Sequence, residues 1–575
     1  MQSSADFRMR ALKQFVLLAA VLLGVSACGG GGGSGGSGGS TSNVTISGKI
    51  TFDRVPFKAT PGTGLNFNGI IESAARNVVV EAVQPGNVLG GETVVASTTT
   101  DVAGDYTMQV PANTTVFIRA KAQMLKTGTA PTWNFKVLNN TSSDALYVMD
   151  GTAASSGSVS STRNLRATSG WGGTTYTGTR AAAPFAILDT MYHVKSLILS
   201  AKADTAFPAL DLFWSVNNRP ASPFCPDAGN VVSSLYTTFS ASNPNDECST
   251  PTAGRDGIYI LGDYSQNDTD EFDQHVIAHE AGHYFEDRFS RSDSIGGEHA
   301  INSKLDLRVA FGEGWGDAFG AMALNDPVYR DSTGANADGG FNLESSTPSA
   351  PGWFSEFSTF KILWDLFDGA NEPNDTVALG FTPIYNVMTG AQSSTDALTG
   401  IFPFARALKA SNAAAVTGIN ALLAEHSIVS NVDDFGSSET NAGGSADALP
   451  IYTDIQPNGG TRQVCGNADT VIGFYNKLGN RRLLRLVLTQ QTTITVTATG
   501  PAGTPAPDPD VYLWKRGQLL AIADAVGVQE ILPMAGQPPL SLAAGTYVIE
   551  VFEYSHTDAA EPQRGRTCIN VSLTG

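Results

Sequence analysis

The chain has 575 residues, 42% of them hydrophobic, and this length predicts several domains rather than one. Its 54 acidic residues outnumber its 35 basic residues and give a formal net charge of −19 at pH 7. This acidic balance favours solubility and argues against nucleic acid or an anionic membrane surface as a partner.

The first residues predict export. A basic segment precedes an apolar stretch at 15–25, which is too short to span a bilayer as a stable anchor. Small residues and a cysteine follow in Val25-Ser26-Ala27-Cys28. Residues 1–27 therefore predict a signal peptide, and they resemble a bacterial lipoprotein signal with Cys28 as the lipidated residue. The alternative is an ordinary signal peptide that is cut near Ala27 and followed by an incidental cysteine.

Residues 28–42 are nearly pure Gly and Ser and predict a flexible tether between a membrane and a folded body. Gly29 after the cysteine implies, by resemblance to such lipoproteins, attachment to the outer membrane. We therefore expect a protein exported to the bacterial cell envelope and held at the outer membrane by its lipid. No other stretch is long and apolar enough to span a bilayer.

Residues 43–140 predict a β-sandwich domain. Short β-branched segments alternate with turns that contain Gly, Pro and Asn, which is typical of strands. These segments lie at 44–52, 78–83, 94–98, 106–110 and 115–122. The turn and strand at 100–106 resemble those of carboxypeptidase-regulatory-like domains. The segment offers no nucleophile or metal-ligand cluster, so a spacer or adhesive module is the favoured interpretation.

Residues 141–440 are predicted to form the central domain. Apolar residues recur at helical spacing from Ile187 to Ala201 and predict a helix with one buried face. The apolar segment 257–262 predicts a short strand. The edge of such a strand could pair with an extended peptide. An internal strand is the equally supported alternative.

The central motif is His279-Glu280-Ala281-Gly282-His283. On a helix, residues four apart lie on one face, so both imidazoles can bind one Zn²⁺ ion. Glu280 lies beside the open coordination position, where it could accept a proton from water. Asp268 and Glu271 predict a capping box at the start of this helix. His275 lies on the same face but lacks an adjacent glutamate, and we treat it as a neighbour rather than a ligand.

A second motif, Gly312-Glu313-Gly314-Trp315-Gly316-Asp317, follows. Glu313 and Asp317 are again four residues apart, so a second helix could offer Glu313 as third ligand. Asp317 could then accept the spare N–H of a liganding histidine.

Together the two motifs resemble those of the gluzincin metallopeptidases, most closely the fungalysin–thermolysin group. The resemblance covers about residues 255–370. It implies one zinc ion per chain bound by His279, His283 and Glu313, with Glu280 as general base and Asp317 behind the ligands. A metzincin would instead need Gly at 286 and His at 289, where the chain has Glu286 and Phe289.

Transition-state stabilisation in such enzymes requires a further His or Tyr. His426, Tyr385 and Tyr329 are the candidates, and none lies in a motif of the group. His299 lies in the connection between the two zinc motifs and could rim the site. Helices are expected at 353–367 and 399–427 and would form a lower lobe.

Residues 441–460 predict a linker, and 461–575 predict a second β-sandwich with strands at 483–488, 493–499, 511–514 and 546–552. This region resembles the bacterial pre-peptidase C-terminal domain. Asp508 and Asp510 could bind Ca²⁺, but turn-forming aspartates are the favoured interpretation.

Four cysteines remain after Cys28, an even number, as disulfides in an exported chain require. Their order in the chain suggests Cys225–Cys248 and Cys465–Cys568, two of the possible pairs.

The sequence thus predicts a multidomain protein with a two-lobed α+β zincin-like metallopeptidase core between two β-sandwich domains. The predicted function is zinc-dependent endopeptidase activity on peptide or protein substrates at the cell surface or in the periplasm. The alternatives are a surface adhesion protein whose peptidase fold is inactive or weakly active, and a non-peptidase zinc hydrolase.

Overall fold

The computed structural model describes residues 42–86, 91–238, 255–266, 268–369, 375–467, 475–558, 561 and 564–575. The predicted signal peptide, Cys28 and nearly all of the Gly/Ser tether lie outside these residues. Within them, no helix combines the length and the apolar composition that crossing a membrane requires.

Two sheets dominate the region up to residue 260. One has five strands in the order β11-β1-β12, with β2 and β5 also paired to β1. The other has ten strands and follows the order β14-β15-β13-β7-β6-β3-β4, with β8, β9 and β10 attached. The strands are β1 (Asn43–Arg54), β2 (Ile71–Ala74), β3 (Val78–Gln84), β4 (Thr93–Thr99), β5 (Asp105–Pro111), β6 (Thr115–Lys126), β7 (Trp133–Asn139), β8 (Ala145–Leu146), β9 (Val148–Asp150), β10 (Ala154–Ser155), β11 (Ser161–Thr162), β12 (Leu165–Ala167), β13 (Leu210–Trp214), β14 (Leu235–Thr237) and β15 (Gly257–Ile260).

The ten-stranded sheet crosses the predicted domain boundary at residue 140. Strand β13 pairs in parallel with both β7 and β15, so strands from the two sides of that boundary share one sheet. One hydrophobic core runs from Ile46 to Val548 and includes both regions. The division into domains stays a prediction, and the first two predicted regions are packed around a common core.

Seven α-helices and one hairpin complete the described part of this region. The helices are α1 (Ala183–Ala201), α2 (Gln274–Phe289), α3 (Leu307–Leu324), α4 (Glu356–Phe367), α5 (Phe381–Val387), α6 (Ile401–Ser411) and α7 (Val416–Glu425), and the hairpin is β16 (Val328–Ser332) with β17 (Asp338–Asn342). Helix α1 confirms the helix predicted from the apolar periodicity. Its first turn contains Pro184, which has no N–H, and the first turn of a helix requires none. Asp306 caps the start of helix α3, and its side chain accepts the backbone N–H of Arg308.

Three local predictions are wrong. Asp268 and Glu271 form no capping box, because α2 begins at Gln274 and the buried Glu271 pairs instead with Arg180. The helix predicted over 399–427 is two helices, because the Asn412 amide donates to the Leu408 carbonyl and the chain turns between α6 and α7. The helix predicted from residue 353 begins only at Glu356.

The C-terminal region is a sandwich of two five-stranded sheets. One has the order β18-β20-β26-β22-β23, and the other has the order β19-β27-β21-β24, with β25 paired to β21. The strands are β18 (Tyr452–Ile455), β19 (Arg462–Gly466), β20 (Arg481–Leu488), β21 (Thr492–Thr499), β22 (Pro509–Lys515), β23 (Gln518–Ala523), β24 (Gln529–Leu532), β25 (Leu540–Leu542), β26 (Gly545–Glu553) and β27 (Thr567–Thr574). All four predicted strands are present, and β18 lies inside the predicted linker.

The predicted disulfide between Cys465 and Cys568 is present and joins facing residues of β19 and β27. Cys225 is buried and disulfide-bonded, while its predicted partner Cys248 lies outside the described residues.

Candidate metal centre

Helix α2 places His279 and His283 one turn apart on one face. Their Nε2 atoms lie 3.1 Å from each other. The opposite face of α2 is apolar, and Ile277, Tyr284 and Phe285 are buried in the main core. Burial of that face fixes the rotation of the helix, so both imidazoles point to the same place.

Glu313 reaches the same point from α3. Its Oε2 lies 3.4 Å from Nε2 of His279 and 3.4 Å from Nε2 of His283. Donor atoms 2.0–2.1 Å from a tetrahedral zinc ion lie about 3.3–3.4 Å apart. The two distances from Glu313 match this spacing, and the 3.1 Å between the imidazoles is slightly shorter. In the part of the chain that the structure describes, two groups of side chains are close enough to hold a metal, and this is the one with imidazoles.

Glycines let α2 and α3 approach closely enough for this geometry. A Cβ atom on Gly282 would lie 3.0 Å from Cα of Gly316, and one on Gly316 would lie 2.8 Å from the His279 ring. The indole of Trp315 donates to the Gly282 carbonyl at 3.0 Å and fixes the register of the two helices. The Gly-Trp-Gly part of the second motif is therefore required by packing.

Carboxylates behind the imidazoles orient them. Asp317 Oδ1 lies 2.8 Å from Nδ1 of His279. Glu286 Oε2 lies 3.5 Å from Nδ1 of His283. Each contact leaves Nε2 as the free nitrogen, which is the arrangement usual for metal-binding histidines. Sequence reasoning missed Glu286, although its position three residues after His283 on the same helix could have indicated it.

The electrostatics of the group favour a positive charge between its members. Burial alone lowers the pKa of His279, but Asp317 and Glu313 outweigh it and raise that pKa well above the usual value. Burial alone raises the pKa of Glu313, but His283 and His279 hold it well below its usual range. A bound metal ion would supply this positive charge in place of the proton that the raised pKa of His279 favours.

Glu280 lies on α2 beside the ligands and is not part of the metal-binding group. Its Oε2 accepts the backbone N–H of Tyr236 at 2.6 Å. Burial raises the pKa of Glu280, and His279 and His283 oppose that shift. This hydrogen bond orients the carboxylate, and the raised pKa improves it as a proton acceptor.

Residues 250–415 match the Mycolysin C-terminal domain. The match covers α2 and α3 with both motifs. No curated protein shows a match to the chain.

Several solved structures share limited similarity. The pre-peptidase C-terminal domain of collagenase from Bacillus anthracis is 12% identical, with 21% of this chain and 94% of that chain covered and a TM-score of 0.15. PliG of Aeromonas hydrophila, a periplasmic inhibitor of g-type lysozyme, is 15% identical, with 21% and 97% covered and a TM-score of 0.14. At these TM-scores, neither likeness bears on the fold or the function of the chain.

Two further side chains complete the surroundings of the three ligands. His299 places Nε2 3.4 Å from Oε2 of Glu313 and 3.8 Å from Oε2 of Glu356. Glu356 begins α4 and is buried beside Asp317 and Glu313, and burial together with these like charges raises its pKa well above the usual value. His299 thus rims the site as predicted, whereas no spacing in the sequence could have indicated Glu356.

Of the three candidates for stabilising the transition state, one lies near the site and two lie away from it. Tyr329 on β16 lies near the site, with its ring centroid 5.7 Å from that of His275 on α2. Burial raises its pKa well above the usual value, and the Asp331, Asp317 and Glu280 carboxylates add to that shift. Burial raises the pKa of Tyr385, and the other groups that affect this pKa are Lys202, Thr205 and Asp204. Burial lowers the pKa of His426 to about 3, with Lys361 as its charged neighbour.

The remaining metal predictions concern His275 and the C-terminal aspartates. Nε2 of His275 lies 3.0 Å from the Asp326 carbonyl, and this side chain belongs to neither metal-binding group of the described residues. The same is true of Asp508 and Asp510. Asp508 Oδ1 accepts the N–H of Gly527 at 2.8 Å, as a turn-forming aspartate does.

Strand β15 lies between β13 and β14, so the internal-strand alternative is correct for residues 257–260. The edge of the described sheet next to the metal centre is β14, which contains Tyr236.

Proposed function

We propose that the protein is an exported, zinc-dependent endopeptidase that hydrolyses peptide bonds. The observation that supports the proposal most is the set of three donor atoms, from His279, His283 and Glu313, at mutual distances of 3.1, 3.4 and 3.4 Å, close to those of a tetrahedral zinc site. Three protein ligands leave one position open, as catalytic rather than structural zinc sites do.

When bound, zinc would supply Lewis acidity, which lowers the pKa of water and polarises the scissile carbonyl. Glu280 would accept the proton of the attacking water and deliver it to the leaving amine. The N–H of Tyr236 would hold this carboxylate in the orientation for both transfers. Asp317 and Glu286 would keep the two imidazoles directed at the ion.

An extended peptide would pair with the edge of β14, next to Glu280. His299 and Tyr329 would be the groups near enough to stabilise the charge that develops on the carbonyl oxygen. We further propose that Cys28 carries a lipid, so that the active site faces substrates at the cell surface or in the periplasm.

The test is the hydrolysis of casein by the purified protein, with zinc content measured on the same samples. A chelator should abolish hydrolysis, and zinc should restore it. Glu280→Gln should keep about one equivalent of zinc and lower turnover by about 10²–10⁴-fold, because it removes only the proton acceptor. His283→Ala and Glu313→Ala should lose zinc and activity together.

Other results would favour the alternatives. Zinc binding without hydrolysis of any peptide would favour a binding protein on a peptidase fold or a different zinc hydrolase. If Glu280→Gln stayed active, the role of Glu280 would be wrong. If Glu313→Ala held zinc normally, the third ligand would lie elsewhere.

A further inference from the structure

Among the described residues, no carboxylate forms an ion pair with the guanidinium of Arg482 on β20. The residue is buried, with 6% of its surface exposed. Its Nη2 atom donates to the Pro450 carbonyl at 2.8 Å, whereas its Nε atom is buried and has no hydrogen-bond partner in the described part of the chain. A guanidinium keeps its proton in a protein, so another group must balance this positive charge.

One carboxylate acts on Arg482 from a distance but is bound by another arginine. Burial lowers the pKa of Arg482 to about 10, and the charge of Asp447 opposes this shift. Both oxygens of Asp447 are occupied, because they accept hydrogen bonds from Nε and Nη2 of Arg566 at 2.6 and 2.7 Å. The guanidinium of Arg482 therefore stays charged at neutral pH, while Asp447 balances Arg566.

The other charged groups at the junction between the sandwich and α3 are also bound to one another. Arg308 donates to both oxygens of Asp306, at 2.8 and 2.9 Å, and it shares the carboxylate of Glu550 with Arg481. The charged groups of this junction are the guanidinium groups of Arg308, Arg481, Arg482 and Arg566 and the carboxylates of Asp306, Asp447 and Glu550. Four positive charges thus face three negative ones, and a buried charge without a counter-ion is strongly unfavourable.

A small cavity lies at the same junction. Its volume is about 20 Å³, which is enough for one or two groups of the size of a water molecule. The charged residues that line it are Arg481, Arg482 and Asp306, and apolar side chains such as Leu307 form much of the remaining wall. Because Arg308 occupies both oxygens of Asp306, the two guanidinium groups give the wall a net positive charge.

We propose that this cavity binds one chloride ion, with Arg482 as its main ligand. One monovalent anion balances the one excess positive charge of the junction. The volume of the cavity admits a monatomic ion, whereas an organic phosphate or a peptide carboxylate is too large for it. A water molecule could accept the free N–H of Arg482, but it would leave the buried charge without a counter-ion.

The ion would connect three segments that are distant in the sequence. The cavity wall contains Arg482 from β20, Ala448 from the segment before β18, and Leu307 from the first turn of α3. Helix α3 also carries Glu313 of the metal centre. Chloride would therefore stabilise the junction that supports this helix, whatever reaction the metal centre performs.

The test compares thermal unfolding of the full chain in sodium chloride and in sodium gluconate at equal ionic strength, so that general screening is the same. Chloride should raise Tm by about 2–4 °C, as a ligand that binds only the folded state does. Arg482→Gln should lose this rise, because it removes the excess charge. The matched control is Arg485→Gln on the same strand, where the arginine pairs with Asp454, and this variant should keep the rise.

Crystals of the parent protein grown in sodium bromide test the site without any variant. Bromide substitutes for chloride and scatters X-rays anomalously, so a peak should appear in the cavity next to Nε of Arg482. The proposal is overturned if the cavity holds only water, even where Arg482→Gln fails to fold. It is also overturned if Arg482→Gln keeps the chloride-dependent rise in Tm, or if Arg485→Gln loses the rise as well.

Discussion

At the scale of single residues, the metal centre depends as much on residues that lack a side chain as on its ligands. Helices α2 and α3 cross with Gly282 against Gly316, and the His279 ring lies in the space that a side chain at 316 would take. Asp317, one residue further, holds Nδ1 of the same ring. Position 316 therefore sets the orientation of His279 from one side and position 317 from the other.

Gly316→Ala should weaken zinc binding. The added Cβ would lie 2.8–2.9 Å from three atoms of the His279 ring, so the ring would have to rotate away from the other donor atoms. Disturbing the support of a metal ligand typically costs about 10–100-fold in affinity, and we expect a loss in this range. The measurement is zinc affinity by competition with a chelator of known affinity.

The matched control is Gly312→Ala on the same helix. There the nearest atom would lie 3.5 Å from the new Cβ, an ordinary contact distance. Alanine is a better helix former than glycine by up to about 1 kcal/mol, so this variant should be as stable as the parent or more stable, with unchanged zinc affinity. Equal zinc affinities of the two variants would show that position 316 does not restrain His279.

At the scale of elements, regular patterns could be predicted from the sequence and long-range partners could not. Helices α1, α2 and α3 follow from apolar spacing and from motifs at positions i and i+4, because these depend on neighbours in the chain. The capping box failed because Arg180, more than eighty residues earlier, pairs with Glu271. Glu356 was missed because only the packing of α4 against α3 brings it to the metal centre.

Alternating strands were predictable for the same reason, but their order in the sheets was not. Strand β15 was recognised from its apolar residues, whereas its internal position depends on β14, which pairs with it from more than twenty residues earlier. Strand β18 lies in a segment rich in turn-forming residues and gains its pairing from β20. Pairing with strands distant in the sequence therefore determines both the internal position of β15 and the formation of β18.

The disulfide between β19 and β27 should contribute strongly to the stability of the C-terminal sandwich. It joins residues 103 positions apart, and for a loop of about a hundred residues the chain-entropy estimate is about 4–5 kcal/mol. The double variant Cys465→Ser with Cys568→Ser should therefore unfold at a lower temperature than the parent. Calorimetry under non-reducing conditions measures this difference.

Peptide mapping without reduction checks the pairing in the same preparation. It should recover Cys465 with Cys568, and Cys225 with Cys248 as the sequence predicts. Four free thiols or crossed pairs would contradict the pairing, and an unchanged unfolding temperature in the double variant would contradict the size of its contribution.

At the scale of the whole molecule, the C-terminal sandwich is joined to the helix that carries Glu313. Arg308 on α3 is 1% exposed and donates to Glu550 on β26 at 2.8 and 3.2 Å. The loop before β20 contributes Asn476, whose amide donates to the carbonyls of Gly296 and Glu298 in the connection that carries His299. The sandwich thus supports the metal centre from behind and along its rim.

The N-terminal end of the molecule predicts attachment to a membrane. If Cys28 carries a lipid, the full-length protein should be recovered in the membrane fraction, and Cys28→Ala should move it to the soluble fraction. A hydrophobic anchor explains this change because the acidic chain itself has no attraction to anionic lipid. Immunoblotting of separated fractions measures the distribution, and recovery of Cys28→Ala in the membrane fraction would contradict lipidation.

Glu550→Gln should destabilise the whole protein. Glu550 is fully buried and accepts hydrogen bonds from Arg308, Arg481 and the Trp514 indole. The amide would leave the buried Arg308 with Asp306 as its remaining anion and would remove the anion that pairs with the partly buried Arg481. Breaking a buried pair in this way costs about 3–5 kcal/mol. The measurement is the free energy of unfolding by denaturant at pH 7.

The same carboxylate predicts a specific dependence on pH. Burial alone would raise the pKa of Glu550, but Arg308 and Arg481 outweigh it and lower that pKa to about 2, from about 4.5 in the unfolded chain. Because the folded pKa is the lower one, the contribution of Glu550 to stability is fully present above about pH 4.5 and is lost as the pH falls towards 2. The difference in stability between parent and Glu550→Gln should therefore shrink across this window.

Asp454→Asn is the matched control, because it removes an exposed carboxylate that pairs with Arg485 in the same sandwich. An exposed pair contributes about 0–1 kcal/mol, so this variant should unfold close to the parent at every pH. If Glu550→Gln behaved like Asp454→Asn, the buried pair would not anchor the sandwich to α3. A large loss for Glu550→Gln alone, together with reduced zinc retention, would show that the sandwich and the metal centre depend on each other.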